Sequence, residues 1–401
     1  MIYPANFEEK IGFDRIREQV TALCSTPSAK AKLAEEGFST SADEIERRLS
    51  LMNEMRSLLM LERDFPDGDY PDPAPLVAKI RVEGSYLLAA EADQLRKALV
   101  TVGAIAEFIL GRGGARYPRL WELSRRVTLF PEIVRAIDAI LDDRGEVKDS
   151  ASPELQQVRR AIREREGQAA KRLQQVLQRA KQAGIVDADA VLSVRDGRPV
   201  IPVAAANKRK LQGFIHDESA TGRTFYVEPV EVVEINNELK ELEYAERREV
   251  VKVLSAFTES IRPDAEAIAD AGDYLSSVDM IRAKARWALA NDAGKPILST
   301  DDRLELRTAR HPLLQQTLRA QGREVVPLDL ALDRRKHILV ISGPNAGGKS
   351  VCLKTTGLMQ YLFQCGYPVP ASEVSELPVF RSIFIDIGDE QSIDDDLSTY
   401  S

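Results

Sequence analysis

Apolar side chains recur at helical spacing through the first part of the chain. Ile45, Leu49, Met52 and Leu59 fall on one face, and Ser41 with Glu44 just ahead of them reads as a capping box that starts that helix. Leu95, Leu99, Val102, Ile105 and Ile109 mark a second helix, with Gly111 as its stop. Between the two, FPDGDYPDPAP (65–75) holds four prolines and predicts an extended loop. Residues 1–150 thus read as helices separated by short breaks.

From Pro153 the period tightens. Leu155, Val158, Ile162, Ala169, Leu173, Val176, Ala180 and Ala183 follow a seam of three- and four-residue steps, the mark of a coiled coil. A matching seam runs through Ile235, Leu239, Leu242, Glu246, Val250, Val253, Phe257 and Ile261. Charge supports the pairing: residues 154–181 hold eight basic against three acidic side chains, and 231–249 hold seven acidic against three basic. An antiparallel pair of long helices brings the two together. Between them, residues 191–229 lose the helical period, alternate, and are punctuated by Asp196-Gly197 and Thr221-Gly222, which predicts a small β-structured tip.

That tip carries Arg195, Arg198, Lys208, Arg209, Lys210 and Arg223 against Asp196, Asp217 and Glu218. A solvated hairpin surface has this composition. So does a grip on nucleic acid, whose phosphates are the dominant electrostatic target. Helices resume to about Asp292, with Met280, Ala283 and Trp287 as core. From Ile297 the pattern turns strand-like in RLELRTA, EVVPLDLAL and HILVIS, so the last domain reads as α/β.

The last of those strands leads into Gly343-Pro344-Asn345-Ala346-Gly347-Gly348-Lys349-Ser350, a match to G-x-x-x-x-G-K-[ST]. The reading is a buried strand over Ile338–Ile341, a phosphate-cradling loop, and a helix from Lys349 through Leu353, Leu358 and Tyr361. Glycines let backbone N–H groups converge on phosphate at a helix N-terminus. Lys349 reaches the β- and γ-phosphates, and the Ser350 hydroxyl suits Mg²⁺, which prefers oxygen ligands. The ligand implied is ATP with Mg²⁺. A strand is expected over Phe380–Ile387, but no apolar run followed by Asp-Glu comes after Lys349 to complete a hydrolytic site.

Composition narrows the class. Hydrophobic residues are 44% and charged residues 29% of 401, so most of the chain is expected to fold. A net charge of −8 excludes a uniformly basic nucleic-acid binder, though not a local basic patch. Cys24, Cys352 and Cys365 show no metal-ligand spacing. There is neither an apolar leader nor a membrane-spanning run, and the expectation is a cytoplasmic protein without a membrane partner. Trp121 and Trp287 read as core, Cys352 as a small buried residue, and Asp394 to Asp396 as either a solvated acidic turn or part of a site.

ISGPNAGGKSVCLKTTGL resembles the phosphate loop of the MutS family, and Arg310-His311-Pro312-Leu313 is similar to an element the family carries upstream of it. RDGRPVIPV, GFIHDESATGRTFYVEP and EINNELKELE are closest to the second bacterial branch, associated with suppression of recombination and rescue of collided ribosomes. The resemblance spans essentially the whole chain. It implies a multidomain fold: an all-α core (1–150 and 262–296), long antiparallel lever helices with a β clamp tip (151–261, tip 191–229), and the N-terminal part of an ABC-type ATPase domain (297–401).

It also implies a homodimer sandwiching two nucleotides. His311 lies near the nucleotide, Gln391 sits in a coupling loop with Asp389 and Glu390, and Ser398 meets the γ-phosphate in trans. The partner implied is DNA or the ribosome, and a C-terminal endonuclease module belongs to the branch. On this reading the chain is truncated and binds ATP without hydrolysing it. Two other classes stay open: a chromosome-organising ATPase of the SMC type, disfavoured because there the loop precedes the coiled coil, and a non-catalytic scaffold stabilised by nucleotide.

Overall fold

The computed structural model describes residues 1–195, 197–343 and 348–387. They divide into two compact units: one from Met1–Ala78, Gln94–Pro131 and the stretch from Asp264 onward, the other from Lys79–Asp93 and Glu132–Pro263. In chain order the elements begin with β1 (Ile2–Tyr3), α1 (Phe7–Ile11), α2 (Phe13–Ala22), α3 (Pro27–Glu35), α4 (Ala42–Leu61), α5 (Ala74–Ile80), α6 (Ala89–Gly111), α7 (Pro118–Ser124) and α8 (Pro131–Ile140). Then come α9 (Pro153–Gln182), β2 (Ser193–Arg195), β3 (Arg198–Ala204), β4 (Gly213–Glu218), β5 (Thr224–Pro229), α10 (Val230–Ile261) and α11 (Ala265–Ala290). The chain continues through β6 (Ile297–Leu298), β7 (Leu304–Ala309), α12 (Pro312–Ala320), β8 (Leu328–Leu332), α13 (Lys349–Gln364), β9 (Glu376–Leu377) and β10 (Ile383–Phe384).

Local signals account for most helix ends. Ser41 caps α4 by accepting from the Glu44 amide, but the return half of the box is rerouted. The Ser41 amide donates to Ser39 Oγ, whose hydroxyl donates to Glu44 Oε2 at 2.6 Å. The proline-rich loop is shorter than expected. Pro75 sits at the second position of α5, where a missing N–H costs nothing because that donor has no helical acceptor.

In the second unit α9 and α10 run antiparallel, as Arg159 Nε to Glu246 Oε1 at 2.7 Å and Arg165 Nε to Glu238 Oε2 at 2.8 Å require. Leu155, Ala169, Leu173, Val176 and Ala180 are buried along the seam. The far end of α9 covers one face of an antiparallel sheet ordered β2-β3-β5-β4, where Leu177 and Val232 pack on Ile201, Val203 and Val227. Gly213 lets β4 lie this close, since a Cβ there would meet the Glu228 carbonyl oxygen at 2.2 Å.

The first unit is built around α11 and α13. Phe7, Phe13, Ile16, Leu33, Ile45 and Leu49 enclose Leu358, Tyr361, Leu362 and Phe363 of α13 together with Trp287 of α11. Each large apolar side chain so buried contributes roughly 1.5–3 kcal/mol. A second cluster joins Met55, Leu58, Val102, Ile105, Ile109 and Leu275. The sheet here is ordered β6-β9-β7-β8, with β7 antiparallel to β8.

Three expectations about strands need correction. Ile338, Leu339 and Val340 form no strand and are 76%, 50% and 84% exposed, because an apolar run becomes a buried strand only beside a neighbouring backbone, and none pairs with it among the described residues. Only Ile383–Phe384 of the Phe380–Ile387 stretch is a strand. Its partner is β1, in parallel, so the first residues of the chain contribute a strand where only helices were expected. No helix among the described residues is long and apolar enough to cross a membrane.

Inside the helical part, Arg282 and Asp279 are both fully buried and paired at 2.8 Å. Asp279 Oδ2 also accepts from the Thr26 amide and hydroxyl, and the Arg282 guanidinium lies 3.7 Å from the centre of the Tyr70 ring. Asp279→Ala would remove the fully buried counter-charge of Arg282 and leave it Asp67 at 3.3 Å, the Gly68 carbonyl and Ser25. Its expected cost is about 3–5 kcal/mol, read as a lowered urea midpoint.

Candidate nucleotide-binding site and the basic tip

Gly348 is the residue before α13 and has φ +78°, ψ 17°, a left-handed conformation that an L side chain adopts at a cost of about 1–2 kcal/mol. That turn aims the first amides of α13 back along the helix axis, where a helix end favours anions. Helical bonding begins at once, with the Cys352 amide donating to the Gly348 carbonyl oxygen at 2.9 Å. Lys349 Nζ donates to the Gly343 carbonyl oxygen at 2.6 Å, which ties the two described ends of the loop together. Ser350 follows within the first turn and is partly buried. Gly343, Gly348, Lys349 and Ser350 are thus brought together. Pro344, Asn345, Ala346, Gly347, Gln391 and Ser398 lie outside the described residues, as do Asp389, Glu390 and Asp394 to Asp396.

His311 is the residue before α12, its side chain makes no capping hydrogen bond, and it is 2% exposed. Burial pushes its imidazole down to about 4; the Ile11 backbone pulls the other way, and Lys354 and Arg15 add to the depression. A neutral ring enclosed in this way presents no face to solvent. The buried Lys354 of α13 is close enough to disfavour a second positive charge on the ring. Cys352 is half-buried, and burial raises its thiol pKa, which makes it a poor nucleophile.

The six cations of the tip fall into two groups. Arg195 donates from Nε to Asp217 Oδ2 at 2.9 Å and stacks 3.8 Å from the centre of the Tyr226 ring. Arg198 Nη1 donates to both oxygens of Glu228 at 2.9 Å, and its Nη2 to Asn237. Both are engaged in holding the sheet. Lys208, Arg209, Lys210 and Arg223 are exposed, and the Ala205 amide bonded to the Arg223 carbonyl oxygen at 2.9 Å sets them at one end of the sheet. Lys208 Nζ lies 4.5 Å from the Phe225 ring centre.

Glu228 was overlooked in the charge count and organises the base of the tip. It is 1% exposed and also takes hydrogen bonds from Asn236 Nδ2 at 2.6 Å and from His216 Nε2 at 2.6 Å. Burial works to raise its pKa, but the bonds from Asn236, His216 and Arg198 outweigh it and hold the carboxyl below its usual range. No local pattern in the sequence marks the pair: β3 and β5 are adjacent antiparallel strands, and it is that adjacency that brings Glu228 within reach of Arg198.

Residues 339–401 match the family described as MutS domain V. With the helix start at Lys349, that places the phosphate loop in a MutS-type domain. The chain is 34% identical over 391 residues to Endonuclease MutS2 of Bacillus velezensis, covering 97% of this chain and 49% of the relative. It is 36% identical over 402 residues to Endonuclease MutS2 of Thermomicrobium roseum, covering 97% and 50%. The chain belongs to the MutS family and is of the MutS2 type. It spans about half the length of the curated relatives it matches.

The buried His311 makes acid stability testable. Its folded pKa of about 4 lies below the ordinary 6.5, so the unfolded chain binds the proton more readily. Its contribution is intact above about pH 6.5 and is lost as pH falls towards 4, up to about 3 kcal/mol. His311→Asn should shrink the difference in unfolding free energy between pH 7 and pH 4.5, measured by urea titration at both.

Proposed function

We propose that this chain is the ATP-binding part of a MutS-like ATPase that acts on DNA. The observation that carries the reading is the opening of α13: a left-handed Gly348, Lys349 bridged to the Gly343 carbonyl, and Ser350 in the first turn, within the stretch that matches MutS domain V. In this reading the backbone N–H groups of the Gly343–Ser350 loop, those of Asn345, Ala346 and Gly347 among them and Pro344 having none to give, cradle the triphosphate, Lys349 neutralises the β- and γ-oxygens, and Ser350 Oγ is a ligand to Mg²⁺. Gln391 couples nucleotide to the rest of the molecule. Ser398 completes the site of a partner copy, which makes a homodimer the working form. His311 supports α13 from below rather than touching the base, since its ring is enclosed.

The finer architecture belongs to the same proposal. The α/β part is of the ABC type, α9 and α10 are lever arms, and nucleotide state shifts the balance between open and closed dimers. The exposed cations Lys208, Arg209, Lys210 and Arg223 contact phosphates, whereas Arg195 and Arg198 shape the tip that presents them. Branched or duplex DNA is the first target; the RNA of a stalled ribosome offers the same phosphate chemistry. ATP hydrolysis and endonuclease activity are proposed for the whole protein, and a cytoplasmic location with it.

Two measurements test this. Lys349→Ala should weaken ATP·Mg²⁺ binding at least tenfold by calorimetry; unchanged affinity would favour a scaffold. Reversing charge at Lys208, Arg209 and Lys210 together should lower DNA affinity and flatten the dependence of log K on log salt by up to about 3. An unaltered slope removes the tip as the gripping surface. Loss of binding to ribosomes but not to DNA would make the ribosome the target.

A further inference from the structure

The first residues of the chain run as a strap along the segment that follows α13. The Met1 ammonium donates to the Arg381 carbonyl oxygen at 2.8 Å and to Ser382 Oγ at 3.2 Å. The Ile383 amide donates to the Met1 carbonyl oxygen at 3.0 Å, and the Ile385 amide to that of Tyr3 at 3.1 Å. Lys10, at the end of α1, closes the strap with Nζ donating to the Ile387 carbonyl oxygen at 2.8 Å. A charged donor on a backbone carbonyl in a partly buried place is among the stronger hydrogen bonds available to a main chain.

The same segment grips the phosphate-loop helix. Phe7 and Phe13 hold the Tyr361 ring at 5.1 and 4.9 Å between centres, and the Tyr361 hydroxyl donates to Glu8 Oε1 at 2.6 Å. Arg17 Nη2 donates to that same carboxylate oxygen at 2.6 Å. Residues 1–17 therefore touch both α13, which carries Lys349 and Ser350 at its start, and the backbone up to Ile387, two residues before Asp389 in the sequence.

β10 has no other partner strand among the described residues. Gln360 and Gln364 of α13 hold the backbone at Pro378 and Phe380 directly, and from Arg381 to Ile387 the strap adds the backbone and Lys10 hydrogen bonds.

We infer that residues 1–17 belong mechanically to the nucleotide-binding part, and that Lys10 is a positioning residue that fixes the backbone at Ile387 against α13 for nucleotide binding. The inference rests on the proposed nucleotide site for its effect on affinity, but not for its effect on the strap itself. Lys10 would touch no ligand. It acts by holding the Ile387 backbone in place, so that binding does not have to order that residue.

The experiment uses the whole chain with Lys10→Met and Lys10→Arg, read by hydrogen–deuterium exchange of residues 383–387 and by ATP·Mg²⁺ titration. Lys10→Met should raise exchange at 383–387 about tenfold and weaken ATP·Mg²⁺ binding about five- to tenfold, with the exchange of α9 and α11 unaltered. Lys10→Arg, which keeps a charged donor, should restore both. Lys349→Ala should lose nucleotide while leaving exchange at 383–387 at the wild-type level. If Lys10→Met leaves exchange there unchanged, the positioning role is overturned. If exchange rises but affinity is unchanged in a wild type that binds ATP, Lys10 is a structural clasp only and the inference about nucleotide fails. A wild type that binds no ATP sinks the nucleotide reading and, with it, the claim on affinity, while exchange still decides the strap.

Discussion

The burial of α13 is the constraint on which the rest of the first unit depends. A phosphate loop can hold an anion only if the helix behind it cannot retreat, and here the helix is locked through its far half. Leu358, Met359, Leu362 and Phe363 are wholly enclosed, and Tyr361 is packed by Phe7, Phe13 and Phe38 with its hydroxyl on Glu8. Burial and the neighbouring Cys365 and Glu8 push the Tyr361 pKa up, so the phenol stays a donor and the bond to the carboxylate persists at any pH near neutral. The exposed start of the helix is thus carried on a rigid stem.

Two buried carboxylates, one in each unit, are matched by several hydrogen bonds rather than by a lone counter-ion. Asp279 gathers Thr26 and Arg282; Glu228 gathers Arg198, His216 and Asn236. Such nodes cost desolvation and contribute little net stability, but they tolerate no alternative register. Glu228 shows the consequence for function. By taking up Arg198 it ties that cation into the sheet, while Lys208, Arg209, Lys210 and Arg223 stay exposed.

His311 illustrates a related point. A histidine in a recognisable motif invites a role at the ligand, yet burial with Lys354 and Arg15 nearby keeps it neutral and shielded.

What the sequence by itself determined was whatever depends on near neighbours in the chain. Helical periodicity located α4, α6, α9 and α10, and opposite charge on the last two announced their antiparallel pairing. The glycines with Lys349 and Ser350 marked the start of α13, because loop and helix turn are one continuous stretch of backbone. Tertiary structure alone decided the rest. HILVIS has every local mark of a strand, but a strand is defined by the backbone beside it, and none pairs with it among the described residues. Ile2–Tyr3 has no such mark and is a strand, because Ile383–Phe384, some 380 residues away, supplies the hydrogen bonds. Pairing of that range, like the meeting of Lys10 with Ile387 or of Arg198 with Glu228, is set by how whole elements pack, and no short window of sequence holds that information.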